Sequence, residues 1–228
     1  MTQAASAPTA DTRPPRRDWW SWEFIMSRRR GRYTAVGIIF HWTMAALVFA
    51  QLGLGWWMGR LGAGYGKLDA YGLHAGIGMI ILLLAFLRLG WRIVVPRPLS
   101  TEDIPGWQHL AARATHFGFY GLMVALPLTG LVMLSTLARQ DAVRLFGALP
   151  LPVFPWVTEL PVLAHTRWEA RAEFAHDIMV WAMVALIVAH VGAALQHHFL
   201  NRDKILHRMA PAIEPLGDTD IQDLTEAR

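Results

Sequence analysis

The sequence predicts an all-α fold, an integral membrane four-helix bundle with both its N- and C-termini in the cytoplasm. Three observations lead there. The 228-residue chain is 54% hydrophobic and only 17% charged, with a mean hydropathy of +0.30, whereas soluble domains run at about 45–50% apolar. Four stretches are each long enough to cross a bilayer as a helix, which takes about 20 mostly apolar residues. The Lys and Arg residues divide unevenly between the two sides that these stretches define.

Residues 1–32 form an Arg-rich, cytoplasmic extension in this reading. They hold no apolar run of the length a secretory signal needs. TQAASAPTADTRPPRR has the composition of a disordered segment. The patch WWSWEF, followed by Arg28, Arg29, Arg30 and Arg32, suits an anionic leaflet surface. The membrane domain covers residues 33–211, and residues 212–228 read as a disordered acidic tail.

The first span is Ala35 to Met58, closed by Trp56 and Trp57 at an interface. A Gly-rich link, GRLGAGYGKLDA, leads to the second span, Tyr71 to Val95, whose Arg88 and Arg92 can snorkel towards the headgroups. The segment PRPLSTEDIPGWQHLAAR reads as a loop. The third span runs from Ala114 to Ala138, with Pro127 expected to kink it. Residues 139–173 form a Pro-punctuated connection, apolar for a loop, expected to fold back over the membrane surface as a lid. The fourth span is Phe174 to Leu200.

With the N-terminus inside, fifteen Lys and Arg residues lie on the inner side. Six, namely Arg60, Lys67, Arg139, Arg144, Arg167 and Arg171, lie outside. That asymmetry sets the orientation. It also accounts for the sequence pI of about 10.0 without nucleic-acid binding, for which no module is present. The chain has no Cys, which excludes disulfides, thiolate metal sites, Cys-ligated clusters and covalent c-type haem.

Ten His residues are left to explain. Ionisable groups inside spans are rare and usually functional. In the fourth span His176 and His190 are fourteen residues apart, which returns the helix to within about 40° of one face and separates the rings by roughly 21 Å. By depth, the outer half of the bundle holds His74 and His176, and the inner half holds His41, His116 and His190. Haem iron held by two neutral imidazoles needs two His at matching depth on facing helices, and bundles build cofactor sites that way. Two such pairs imply two haems, non-covalent and b-type because Cys is absent. Depth alone leaves both His41–His190 and His116–His190 open.

Gly72, Gly76 and Gly78 near His74, and Gly192, Ala193 and Ala194 after His190, would allow close approach of a macrocycle or simply of helices. His109, His165, His197, His198 and His207 fall at ends or loops, where a solvated interfacial role is expected. Met44, Met79 and Met183 are expected to pack rather than ligate. Arg88 and Arg92 lie where the propionates of an inner haem would emerge, and Arg pairs well with carboxylates; they also fit as ordinary positive-inside anchors. Rival readings are a His-lined metal or proton transporter and a structural anchor with no cofactor.

The set FHW (Phe40 to Trp42), GLHAGIG (Gly72 to Gly78), ATHFGFYGLMVALPLTGLVM (Ala114 to Met133), FAHD (Phe174 to Asp177) and AHVGAALQHHFLNRDKILHRMAP (Ala189 to Pro211) resembles the bacterial cytochrome b561 family. The resemblance covers all four spans and the C-terminal flank but not residues 1–32. It implies a di-haem cytochrome b of the bacterial inner membrane, with His41 paired to His190 and His74 to His176 as iron ligands. His116 would then be a non-ligand that contacts a propionate or a quinone. The implied function is electron transfer between the quinone pool, ubiquinone in particular, and a periplasmic or membrane redox partner at the outer face. Narrower versions are a superoxide:ubiquinone oxidoreductase, with the outer cations steering an anion, and the cytochrome b anchor of a larger dehydrogenase or hydrogenase. Membrane lipid is the one partner every version shares.

Overall fold

Each predicted span is one continuous helix in the computed structural model, which describes residues 33–95, 105–137, 142–201 and 205–209. The helices are α1 (Ala35–Met58), α2 (Tyr65–Val94), α3 (Gly106–Ser135), the short α4 (Pro155–Thr158), α5 (Val162–Gln196) and α6 (Ile205–Met209). A π-helical turn, His197–Asn201, continues α5. Four helices are long and apolar enough to cross a membrane, the last extending over Val162–Asn201. The expected extension, the acidic tail and most of the arginines behind the orientation argument, Arg13 and Arg28 among them, lie outside the described residues.

The helices outrun the apolar segments. α2 starts at Tyr65 rather than Tyr71, α3 at Gly106 rather than Ala114, and α5 at Val162 rather than Phe174. GWQHLAAR is therefore helix and not loop, as is most of the stretch from Val162 to Glu173. Hydropathy marks the part of a helix that sits in hydrocarbon. The flanking turns carry Gln108, Arg113, Glu169 and Arg171, good helix formers that favour headgroups and water. Proline sets two of the starts: Pro105 and Pro161 stand immediately before the first helical residue, where a missing N–H costs nothing. At the start of α1, Thr34 Oγ1 accepts from Gly37 N at 3.3 Å and from Trp91 Nε1 at 3.3 Å, which caps α1 and ties it to α2. Gly64, at φ +152°, makes the turn from α1 into α2. Pro127 lies inside α3 without interrupting it.

The four long helices meet at mid-depth around Met44, Ile81, Ala85, Met123 and Met183. The first and last of these methionines pack, as expected. Outward-facing residues such as Phe49, Leu83, Phe86, Trp181 and Val188 are exposed, an apolar perimeter that suits lipid and not water. One end of the bundle, here the terminal end, holds the start of α1 and the finish of α5. There α6 is tied back to α1 by Trp42 Nε1 donating to Met209 O at 2.8 Å. The other, the hairpin end, holds the α1–α2 turn and a small antiparallel hairpin, β1 (Arg144–Leu145) and β2 (Leu149–Pro150).

Of the connection expected to form a lid, residues 142–161 hold this hairpin and α4, and Val162 to Glu173 belong to α5. Phe146 at φ 52° and Gly147 at φ 73° turn the hairpin. A positive φ is costly for a bulky side chain, and here the Phe146 ring is held over Gly76, where a Cβ would come within 2.6 Å of it. One turn earlier on α2, a Cβ at Gly72 would collide with the Arg144 carbonyl oxygen. These two glycines form the seat of the hairpin. Phe154 N donates to Ser135 Oγ at 3.1 Å and fastens the rest of the connection to α3.

Gly90, also within α2, has open space where a Cβ would stand, with no neighbour within 4 Å. Ala is better than Gly in a helix interior by about 1 kcal/mol. Gly90→Ala should therefore hold or raise the apparent melting temperature of the solubilised protein, by roughly 2–4 °C at most. Gly72→Ala should lower it and expose residues 142–153 to protease, because the Arg144 backbone must move.

Candidate functional site

The histidines gather at two depths, above and below the mid-bundle cluster. At the hairpin end, His74 of α2 faces His176 of α5, with ring centroids 6.4 Å apart and planes at 59°. At the terminal end, His190 of α5 lies 6.1 Å from His41 of α1 and 5.9 Å from His116 of α3. Phe119 closes on His190 edge to face at 5.5 Å. Both ends draw on α5 because fourteen residues bring its two rings to nearly the same face. Met183, halfway between them in sequence, sits in the apolar cluster that separates the two ends.

The hairpin-end pair is set by residues that sequence reasoning did not single out. Gln51 Nε2 donates to His74 O at 2.8 Å and so fixes α2 against α1 at that residue. Gly78 leaves room for that amide, which a Cβ there would meet at 3.4 Å. Thr129 Oγ1 lies 3.0 Å from His176 Nδ1. Gly55 of α1 and Gly130 of α3 admit the rings: a Cβ would meet Cε1 of His74 at 3.4 Å and Cε1 of His176 at 3.6 Å. Gly78 apart, no local motif marks these residues, since each acts on a histidine of a different helix. The glycines that did stand out, Gly72 and Gly76, seat the hairpin instead, and Gly192 has open space around it.

At the terminal end, Arg88 points an Nη2 at His41 Nδ1 over 3.2 Å and an Nη1 at the Met44 sulfur over 3.9 Å. Arg92 is half-buried in the last turn of α2. His116 Nδ1 donates to the Ala112 carbonyl at 2.6 Å. An arginine can only donate, so in this arrangement His41 Nδ1 is the acceptor and its ring proton sits on Nε2. His116 has the opposite pattern, leaving its Nε2 lone pair free.

The remaining histidines are peripheral. His198 and His207 meet edge to face at 5.5 Å, and His197 pairs with Asn201 at 3.2 Å. His165 differs from the expected solvated role, because its Nε2 is enclosed and has no hydrogen-bond partner. At the hairpin end Lys67 lies over Tyr71 and Arg171 over Trp168, at 5.8 and 5.9 Å from the ring centres. Arg144 Nη1 donates within its own hairpin to Ala148 O at 3.4 Å. Arg139 is outside the described residues.

The ring pairs fit an iron held between two imidazoles. Imidazole nitrogen binds a first-row metal at about 2.0–2.1 Å, and the ring centre lies about 1.1 Å behind it, so opposed ligands place their centres about 6.3 Å apart. His74–His176 and His41–His190 meet that spacing, and so does His116–His190. His74 Nδ1 is buried with no hydrogen-bond partner, a cost of the kind that ligation or a bound group relieves. Among the described residues no three or more His, Asp or Glu side chains are grouped to hold a bare metal ion. The chain offers pairs of imidazoles.

Comparison with known proteins shows the family. A family model described as prokaryotic cytochrome b561 matches residues 32–212. The chain is 33% identical over 182 residues to cytochrome b561 homolog 2 of Escherichia coli K12, covering 78% of this chain and 90% of the relative. It is 29% identical over 185 residues to cytochrome b561 homolog 1 of the same organism, covering 79% and 97%. It is also 27% identical over 189 residues to a cytochrome b562 of Cereibacter sphaeroides, covering 78% and 94%. Four helices long and apolar enough to cross a membrane, paired half-buried imidazoles and a match across nearly the whole helical region make this chain a member of the prokaryotic cytochrome b561 family, multi-pass membrane proteins that carry electrons through haem b.

Proposed function

We propose that this protein transfers electrons across a bacterial inner membrane through two b haems, between the quinone pool, ubiquinone by resemblance, and a redox partner at the outer face. The observation that carries the reading is the pair of imidazole contacts at 6.1 and 6.4 Å, at opposite ends of one bundle and both drawn to α5. His74 and His176 would hold the haem at the hairpin end, and His41 and His190 the one at the terminal end. When bound, each haem would supply one-electron chemistry, with those histidines holding it. The excess of Lys and Arg flanking the terminal end supports placing that end in the cytoplasm.

The chain's own residues then have separable tasks. His176 and His190 set the distance between the sites through one rigid helix. The Met-rich cluster at mid-depth excludes water between them. The hairpin on Gly72 and Gly76 covers α2 beside His74. Arg88 and Arg92 supply positive charge where propionates of a terminal-end haem would lie. For Arg88 this would mean leaving His41 Nδ1: were His41 to hold iron through Nε2, its ring proton would sit on Nδ1, which could then not accept from a guanidinium.

A second assignment is favoured by a specific contact. His116 already donates Nδ1–H to a backbone carbonyl, at 2.6 Å, as metal-bound histidines usually do. The family motif at Phe40–Trp42 favours His41. A reduced-minus-oxidised spectrum with haem quantification separates the two. The wild-type protein should hold two b haems per chain, and His190→Ala should hold one. His41→Ala should also fall to one while His116→Ala keeps two. The reverse outcome for the last two variants would install His116 as the ligand. A colourless preparation would end the haem reading altogether.

A further inference from the structure

Thr129 stands one helical turn from the nearest carbonyls of its own helix and in contact with a histidine of another. Its Oγ1 is 3.0 Å from Ala125 O and 3.0 Å from Leu126 O, and 3.0 Å from His176 Nδ1. The hydroxyl has one proton and two lone pairs. Both carbonyls can only accept. If the hydroxyl proton pointed at the ring, the oxygen's lone pairs would face two carbonyl oxygens at hydrogen-bond distance, which is repulsive. With the proton on the carbonyl side, a lone pair faces the ring, and His176 Nδ1 must donate to it. A threonine bonded back to its own helix is common. Here that back-bond turns an acceptor towards a residue on α5, beside the Leu126 carbonyl, which also accepts from His176.

We propose that Thr129 is the positioning residue that fixes His176 as its Nδ1–H tautomer, leaving Nε2 as the nitrogen available to iron. This rests on the reading of His176 as an axial ligand. Gly130, the next residue, completes the seat: the His176 ring lies where a side chain would begin, with Cε1 at 3.6 Å and Nδ1 at 3.9 Å from the missing Cβ. Thr129 and Gly130 together therefore hold the ring from α3, at a depth where α3 itself has no histidine. His176 gains a neutral acceptor, whereas the ring of His41 at the other end faces the cationic donor Arg88.

An imidazole that donates through Nδ1 is more electron-rich at Nε2 and favours the ferric state. Loss of such a partner typically weakens metal binding 10- to 100-fold. The test uses the full-length, haem-loaded protein and its T129V and T129S variants, with His176→Ala to mark which signals belong to the hairpin end. The readouts are haem stoichiometry, a redox titration that resolves two midpoint potentials, and electron paramagnetic resonance of the ferric haems. T129V should shift the hairpin-end potential upward and move that haem's low-spin signal, or lose that haem and fall from two per chain to one. T129S should restore the wild-type values, and the terminal-end haem should stay unchanged throughout. The proposal is overturned if T129V matches wild type in all three readouts, if T129S behaves like T129V, or if both potentials move together. A haem content unaffected by His176→Ala would instead overturn the ligand reading on which the proposal rests.

Discussion

An imidazole placed inside an apolar bundle has two nitrogens to satisfy and no water with which to satisfy them. The architecture around α5 answers to that constraint. A donor-only or acceptor-only partner on one nitrogen settles what the other can do. Thr129 receives one nitrogen of His176, the Ala112 carbonyl receives one of His116, and Arg88 approaches one of His41. His74 is left with a buried Nδ1 that nothing meets. A bundle that only needed to pack would not keep such groups, because an unpaired buried polar atom costs roughly 1–3 kcal/mol. A group that entered between the helices would relieve the unpaired His74 nitrogen.

The packing serves the same arrangement. Met44, Ile81, Ala85, Met123 and Met183 draw all four spans together midway between the two histidine depths. Flexible thioethers fill an irregular space of this kind well. Above and below that plane the helices separate enough for rings to face one another at about 6 Å without touching. Glycines make the exceptions at which backbone or ring must come close: Gly55 and Gly130 beside the histidines, Gly72 and Gly76 beneath the hairpin, and Gly118 against Leu186, whose Cδ1 lies 2.8 Å from the Cβ that glycine lacks.

The four spans and the depth of each histidine were legible in the sequence because both depend only on helix geometry and hydropathy. His176 and His190 share a face by arithmetic, and His74 followed from matching depth. The choice between His41 and His116 was open in the sequence, and it is open in the ring spacings as well, since His190 is equally close to both. Both ends of α1 fell where expected, but the starts of α2, α3 and α5 were not legible. Tyr65, Gly106 and Val162 lie in turns that are helical for reasons of propensity and capping, outside the hydrocarbon that hydropathy detects. The hairpin escaped because strands of two residues carry no alternation, and its seat is a pair of missing side chains. Thr129 and Gln51 escaped because their partners are on other helices. Arg88 was expected to face propionates, and in the structure it contacts the ring of His41.

Two haems would each be held by two imidazoles, with α5 contributing one to each. Near-infrared magnetic circular dichroism of the oxidised, purified protein addresses the ligands directly, because the position of the ligand-to-iron charge-transfer band depends on axial-ligand chemistry. Bands for bis-imidazole low-spin iron alone are expected, with an intensity equivalent to two haems per chain. A methionine–histidine band, a high-spin five-coordinate signal or an intensity equivalent to a single haem would contradict that claim.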